Sequence, residues 1–175
     1  MVTDAPPATP RHWLWVTSGP NWEICRQRRM FGFDERYRQT LERFVHAGDL
    51  ACVYVTGHKG VRLVGLVGVV CVVGKSLDNR DAVGWKRFPR SGPPREELYP
   101  HRLDWEWVVE GSSPVRLDPR AGPRLEQLEY FTDKSRSWYS FVYPSIARLP
   151  EADVQTVISW MRTTANPKPP EPGPQ

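Results

Sequence analysis

Paired cysteines, metal-ligand spacings, a membrane-length apolar run and a convergent pair of catalytic groups are all missing from this 175-residue chain. Cys25, Cys52 and Cys71 are odd in number and have no paired spacing, which argues against a disulfide framework and a zinc knuckle and leaves reduced, mostly buried thiols. His12, His46, His58 and His101 fall in no ligand spacing, so no metal and no cofactor is expected. Asp34-Glu35 and Glu96-Glu97 are adjacent, and adjacent side chains diverge on a helix or a strand. Asp104 and Glu106 share a strand face with Arg102 and read as a solvated ladder. Gly57-His58-Lys59-Gly60 joins strand to strand and lacks the Walker phosphate-loop pattern. The longest apolar run, Val61 to Val73, contains Arg62 and is too short to span a bilayer. The first residues, MVTDAPPATPRHW, lack the basic start and apolar centre of a signal peptide, so a cytoplasmic protein without a membrane partner is expected.

What is present suits one soluble domain: 39% hydrophobic and 25% charged residues, on a chain long enough to bury a core. The net charge of +4 and pI of about 9.1 are mildly basic, which permits attraction to phosphates. Eight tryptophans are the more informative excess. Indole is first a large apolar body for a core, and it is also the ring that stacks on an exposed base.

The pattern along the chain alternates strands and short helices. Residues 1–10 form a Pro-rich flexible tail, residues 11–164 the domain and residues 165–175 a Pro-rich disordered tail. Trp13, Trp15 and Thr17 alternate with Leu14 and Val16 as a strand; Pro20 then opens a helix reaching about Arg29. A second helix is expected over Tyr37 to Val45, with Tyr37, Leu41, Phe44 and Val45 on one side. Leu50 to Thr56 and Val61 to Val73 are β-branched runs joined by a turn, the second bent at Gly65 and Gly68. Gly74 to Pro94 is a polar, basic loop of a length that is usually functional or disordered. Leu98 to Glu110 restores strand alternation, a short helix is expected at Arg124 to Tyr130, and Val154, Val157, Ile158 and Met161 mark a terminal amphipathic helix.

The segment WLWVTSGPNWEICRQRRMFGFDERYRQTLERF, followed in order by AGDLACVYVTG, LYPHRLDWEWV, DKSRSWYSFV and ARLPEADV, resembles an EVE domain of the PUA-like superfamily, related to YTH domains. The resemblance covers Arg11 to Met161. It implies a mixed α/β fold, a PUA-like β-barrel of about five or six strands surrounded by short helices. It also implies a non-enzymatic, monomeric reader that takes a modified base of DNA or RNA into an aromatic pocket. A small ASCH-type enzyme acting on a modified nucleoside, and a protein-binding adaptor using the proline-rich tail, stay open beside it.

Carried over residue by residue, the resemblance puts Asn21 where a side-chain amide reads the base edge, and Phe31 and Tyr99 where cage aromatics stack on the base. Thr17 and Ser18 could add contacts from the strand end, and Trp22 and Trp138 match tryptophans of EVE motifs. Arg136 matches the place where a basic side chain holds the phosphate next to the flipped base, and Lys134, with Lys86, Arg87 and Arg90 from the long loop, gives it basic company as a phosphate-binding set. On residue chemistry alone Asn21 could equally cap a helix, the aromatic residues could pack in a core, and Arg136 could be a solvated surface arginine. A flipped base must be restacked, and each ring stack supplies about 1–3 kcal/mol. With Arg136 on a phosphate, affinity should fall steeply with salt, and Arg136→Ala should weaken modified and unmodified strands alike. Salt titrations of the variant test this; a changed base preference at unchanged overall affinity contradicts the role.

Overall fold

A computed structural model describes residues 9–57, 64–89, 91–117, 126–132, 142 and 144–165. Strand β1 (His12–Ser18) runs directly into helix α1 (Gly19–Arg28), which is followed by β2 (Met30–Phe33), a 3-10 turn at Glu35–Tyr37 and α2 (Arg38–Phe44). Then come β3 (Leu50–Thr56), β4 (Gly65–Ser76), a two-stranded ribbon of β5 (Lys86–Arg87) and β6 (Arg95–Glu96), and the long β7 (His101–Val115). A 3-10 turn at Glu129–Phe131, β8 (Ile146–Arg148) and α3 (Glu151–Ala165) complete the described elements. None of the described helices is long and apolar enough to cross a membrane.

Six strands form one mixed sheet in the order β2-β7-β4-β3-β1-β8, curled into a half-barrel. Strands β1 and β3 at its centre pair in parallel, from His12 opposite Leu50 to Ser18 opposite Thr56, while the other pairs are antiparallel. Side-chain alternation sends Trp13, Trp15, Ala51 and Val53 into one core with Phe31, Phe33 and Leu41. Leu14, Val16, Cys52 and Tyr54 enter a second core beneath α3, with Val154, Val157 and Met161. The alternation of the first strand is therefore that of a strand buried on both faces, as parallel pairing requires.

The expected bends in the apolar run occur as bulges. The register shifts between Leu66 and Gly68, so that Leu66 and Val69, three residues apart, reach the same core. A Cβ on Gly68 would stand 2.5 Å from both the Trp107 ring and the Val109 carbonyl, which fixes glycine there. Two expectations are corrected. Phe44 is exposed, because α2 is a short turn of helix that buries Leu41 and hands over to buried Val45. Arg102 is buried rather than part of a solvated ladder: the loop before β7 folds over that end of the sheet, and His101, Arg102 and Leu103 are buried in succession.

Polar side chains tie the helices to the sheet. The Lys75 ammonium donates to the carbonyls of Leu41, Glu42 and Val45, each at 2.9 Å, closing the C-terminal end of α2 with a positive charge. Asp153 near the start of α3 accepts from the backbone of Glu129 and Tyr130 at 2.8 Å. Asp49 is buried and accepts from the Arg11 backbone and the Trp13 indole at 2.9 Å and from the His46 backbone at 3.1 Å. Asp49→Ala strands all three donors, so a loss of at least about 1.5–3 kcal/mol, the contribution of a charge-assisted hydrogen bond, is expected in urea unfolding. Wild-type stability in that variant would show the carboxylate to be dispensable.

Candidate functional site

Because β1 and β3 are parallel and in register, their C-terminal ends arrive together at Ser18 and Thr56, and α1 starts at the next residue, Gly19. A cavity of about 580 Å³ opens there, within the size range of ligand sites. Val16, Thr17, Ser18, Thr56 and Gly57 line it from the strand ends, Asn21 and Cys25 from α1, and Gly32 from β2. The opposite wall comes from the segment between β4 and β7: Trp85, Lys86, Arg87, Phe88, Pro89 and Tyr99. Asp34, Arg36, Val142 and Ser145 complete the lining.

The wall is held in place from α1. Asn21 Nδ2 donates to the Lys86 carbonyl at 2.7 Å and the Lys86 backbone N–H donates to Asn21 Oδ1 at 2.8 Å, so the amide grips the β5 backbone as a strand partner would. Gly32 then allows close approach: a Cβ there would sit 2.5 Å from the Trp85 ring and 2.7 Å from Tyr99 Cβ. Trp85 and Tyr99 meet edge to face, with ring centroids 5.7 Å apart. Tyr99 adopts φ of 43°, a strained conformation for a bulky residue and one that commonly marks functional sites.

Charge is concentrated at the rim. Arg87 pairs with Glu97 at 2.8 Å and with Asp34 at 3.6 Å, while Arg36 grips Asp34 at 2.7 Å. Lys86 is exposed and has no ion-pair partner among the described residues. Burial pushes the Cys25 thiol up to about 12, against the opposing pull of the Trp85 indole and backbone donors, so it is neutral at physiological pH. Burial also raises the Tyr99 phenol, which stays protonated and able to donate. Ser18 Oγ is buried without a hydrogen-bond partner among the described residues.

No protein-family model matches the chain. A UPF0310 protein of Pyrococcus horikoshii is 22% identical over 153 residues, covering 83% of this chain and 95% of that protein. Human THYN1 protein in complex with 5-methylcytosine-containing DNA superposes with a TM-score of 0.51 at 15% identity, over 86% of this chain and 97% of the other. A complex of the YTH domain-containing protein mmi1 with RNA gives a TM-score of 0.54 at 7% identity, over 88% and 82%. The chain has the PUA-like fold of EVE and YTH domains.

In this EVE-type fold the residues singled out from the sequence separate into three groups. Thr17, Ser18, Asn21, Tyr99, Lys86 and Arg87 meet at the cavity. Asn21 is not a helix cap, since Ser18 holds that position, and its amide is engaged with the Lys86 backbone rather than held free for a base edge. Trp22 and Phe31 lie elsewhere. Trp22 stacks on Trp105 at 5.8 Å inside the core and does not line this cavity. Phe31 is 1% exposed and packs on Trp15 and Phe33 at 5.1 Å. Strand parity is the reason: in β2, Phe31 and Phe33 point to the core and only Gly32, between them, faces the cavity. Lys134, Arg136 and Trp138, with Arg90, lie outside the described residues.

Trp85 is the wall residue that sequence reasoning missed, because its loop reads as polar and basic. Its signal was its isolation as the one indole in that stretch. Phe31→Ala is expected to cost about 3–5 kcal/mol of stability, as truncation of a core phenylalanine does, with the melting temperature falling accordingly. A near-native melting temperature would place the ring in an open site after all.

Proposed function

We propose that the chain is a non-enzymatic nucleic-acid-binding module that takes a modified, flipped-out base into the cavity at the C-terminal ends of β1 and β3. The observation that carries this reading is one cavity combining aromatic lining from Phe88 and Tyr99, backed by the buried Trp85 ring, with a rim that presents Arg36, Lys86 and Arg87. Aromatic lining suits a base that has lost its stacking neighbours, and a basic rim suits the phosphates on either side of it. The complexes of THYN1 with methylcytosine DNA and of mmi1 with RNA, two proteins of the same fold, support the ligand class. The role assigned to Asn21 shifts with the geometry: it holds the Lys86 backbone in place, while the Tyr99 phenol supplies a polar contact to the base edge and Ser18, its hydroxyl enclosed, forms part of the strand-end wall. Thr17 lines the same edge. In this reading Lys86, Lys134 and Arg136 contact phosphate, and Arg87 does so by exchanging Glu97 and Asp34 for it.

Binding without catalysis fits the chemistry of the lining. The Cys25 thiol is protonated and inert as a nucleophile, and Asp34 is committed to Arg36 and Arg87. Titration against single- and double-stranded DNA and RNA oligonucleotides, each with one methylated or otherwise substituted base, tests the proposal. Tyr99→Ala is expected to remove about 1–3 kcal/mol of binding to the preferred modified strand and much less from its unmodified counterpart. Equal affinity of the wild type for every modified and unmodified pair would overturn the reading.

A further inference from the structure

We propose that Arg102 is a positioning residue for this cavity, setting the placement of Trp85 and Tyr99 without touching the ligand. The inference rests on the base-binding reading above. Arg102 sits on β7 opposite Gly32 of β2 and Ser76 of β4, is 2% exposed and does not line the cavity. Its guanidinium carbon lies 5.2 Å from the centroid of the Trp85 ring. Nε donates to the Tyr99 carbonyl at 3.3 Å, and Nη2 donates to the carbonyls of Leu98, at 3.2 Å, and Asp81. One side chain therefore touches the beginning, the central indole and the end of the segment that forms the cavity wall.

Chemistry makes this contact set demanding. A guanidinium stays charged even when burial lowers its pKa, and a buried cation is costly unless its N–H groups find acceptors. Those acceptors are backbone carbonyls of a single segment, so displacement of the segment leaves a buried charge unsatisfied. Lysine cannot replace it: a point charge on a flexible stem does not span several carbonyls while lying flat on an indole. The strained backbone at Tyr99 has its own carbonyl held by Arg102 Nε, which links the phenol's position to the same clasp. Burial is the largest influence on the guanidinium; of the charged neighbours, Asp81 favours its charge and Arg28 opposes it more weakly.

The test compares wild type with Arg102→Lys and Arg102→Met in protein labelled with 5-fluorotryptophan, the Trp85 fluorine signal being assigned through Trp85→Phe. Both variants are expected to keep the protected amides of β1 and β3 while the Trp85 signal shifts and amide exchange over residues 78–99 accelerates. Affinity for a single-stranded oligodeoxynucleotide carrying one 5-methylcytosine or one N6-methyladenine should fall about tenfold, the order expected when a base loses its stack on a displaced Tyr99, with a smaller change for the unmodified strand. An unchanged Trp85 signal and unchanged exchange over 78–99 overturn the assignment whether or not any oligonucleotide binds. So does a displaced Trp85 with intact affinity and preference, which would make Arg102 purely structural. If wild type prefers no modified strand across the full DNA and RNA set used to test the proposed function, the base-binding reading fails instead, and the fluorine and exchange data still decide the clasp. Should both variants fail to fold, nitrogen-detected exchange of the Arg102 guanidinium in the wild type decides: slow exchange is expected, and free exchange with solvent overturns the proposal.

Discussion

Parallel pairing of β1 with β3 is the constraint on which the rest of the molecule depends. Seven consecutive residue pairs, from His12–Leu50 to Ser18–Thr56, bring two chain segments to the same end of the sheet. Two parallel strands cannot be joined by a tight turn, so a crossover carrying α1, β2 and α2 has to intervene. The pair is also covered on both faces, by the aromatic core on one side and the α3 core on the other. Everything that lines the cavity is then placed relative to the ends of these strands: α1 departs from Ser18, β2 returns beside β7, and the segment after β4 closes the opening.

That closing segment has little regular structure of its own, since β5 and β6 are two residues each. It is held by polar side chains reaching from the framework. Asn21 supplies the two hydrogen bonds a neighbouring strand would have supplied, and Arg102 supplies several more from beneath. Gly32 contributes by lacking a side chain, which lets Trp85 and Tyr99 descend onto β2. Polar groups buried in this way contribute little net stability but are costly to strand, so they select one arrangement of the wall over its alternatives.

The electrostatics at the mouth follow the same economy. Arg36 and Arg87 converge on Asp34, and Arg87 also meets Glu97, which holds side chains in place that would otherwise lose rotamer freedom on binding. These pairs are partly exposed and individually weak. Under the proposed function, an incoming phosphate would compete for the arginines, while Lys86 would need no exchange.

Sequence alone determined the order of β1, α1, α2, β3, β4, β7 and α3, because these follow from local patterns such as alternation in β1, β-branched runs in β3 and β4, proline at the start of α1 and helical spacing in α3. The short strands β2, β5, β6 and β8 carry no such pattern, and the fold class came with the ordered motifs. Six of the residues singled out through ordered motifs and a basic loop, Tyr99, Asn21, Thr17, Ser18, Lys86 and Arg87, lie together at one cavity. What sequence could not fix was side-chain direction at three places. Phe31 turned inward because the pairing of β2 with β7 sets its parity, and a neighbour in sequence, Gly32, took the cavity face. Trp22 turned into the core because Trp105 arrives from β7 to stack on it and Trp107 to meet it edge to face. Trp85 and Arg102 became partners across 17 positions of sequence only when the long segment folded over the sheet end, burying a residue whose alternation marked it as solvated. Local pattern dictates which face a residue occupies, and only long-range contacts decide what covers that face.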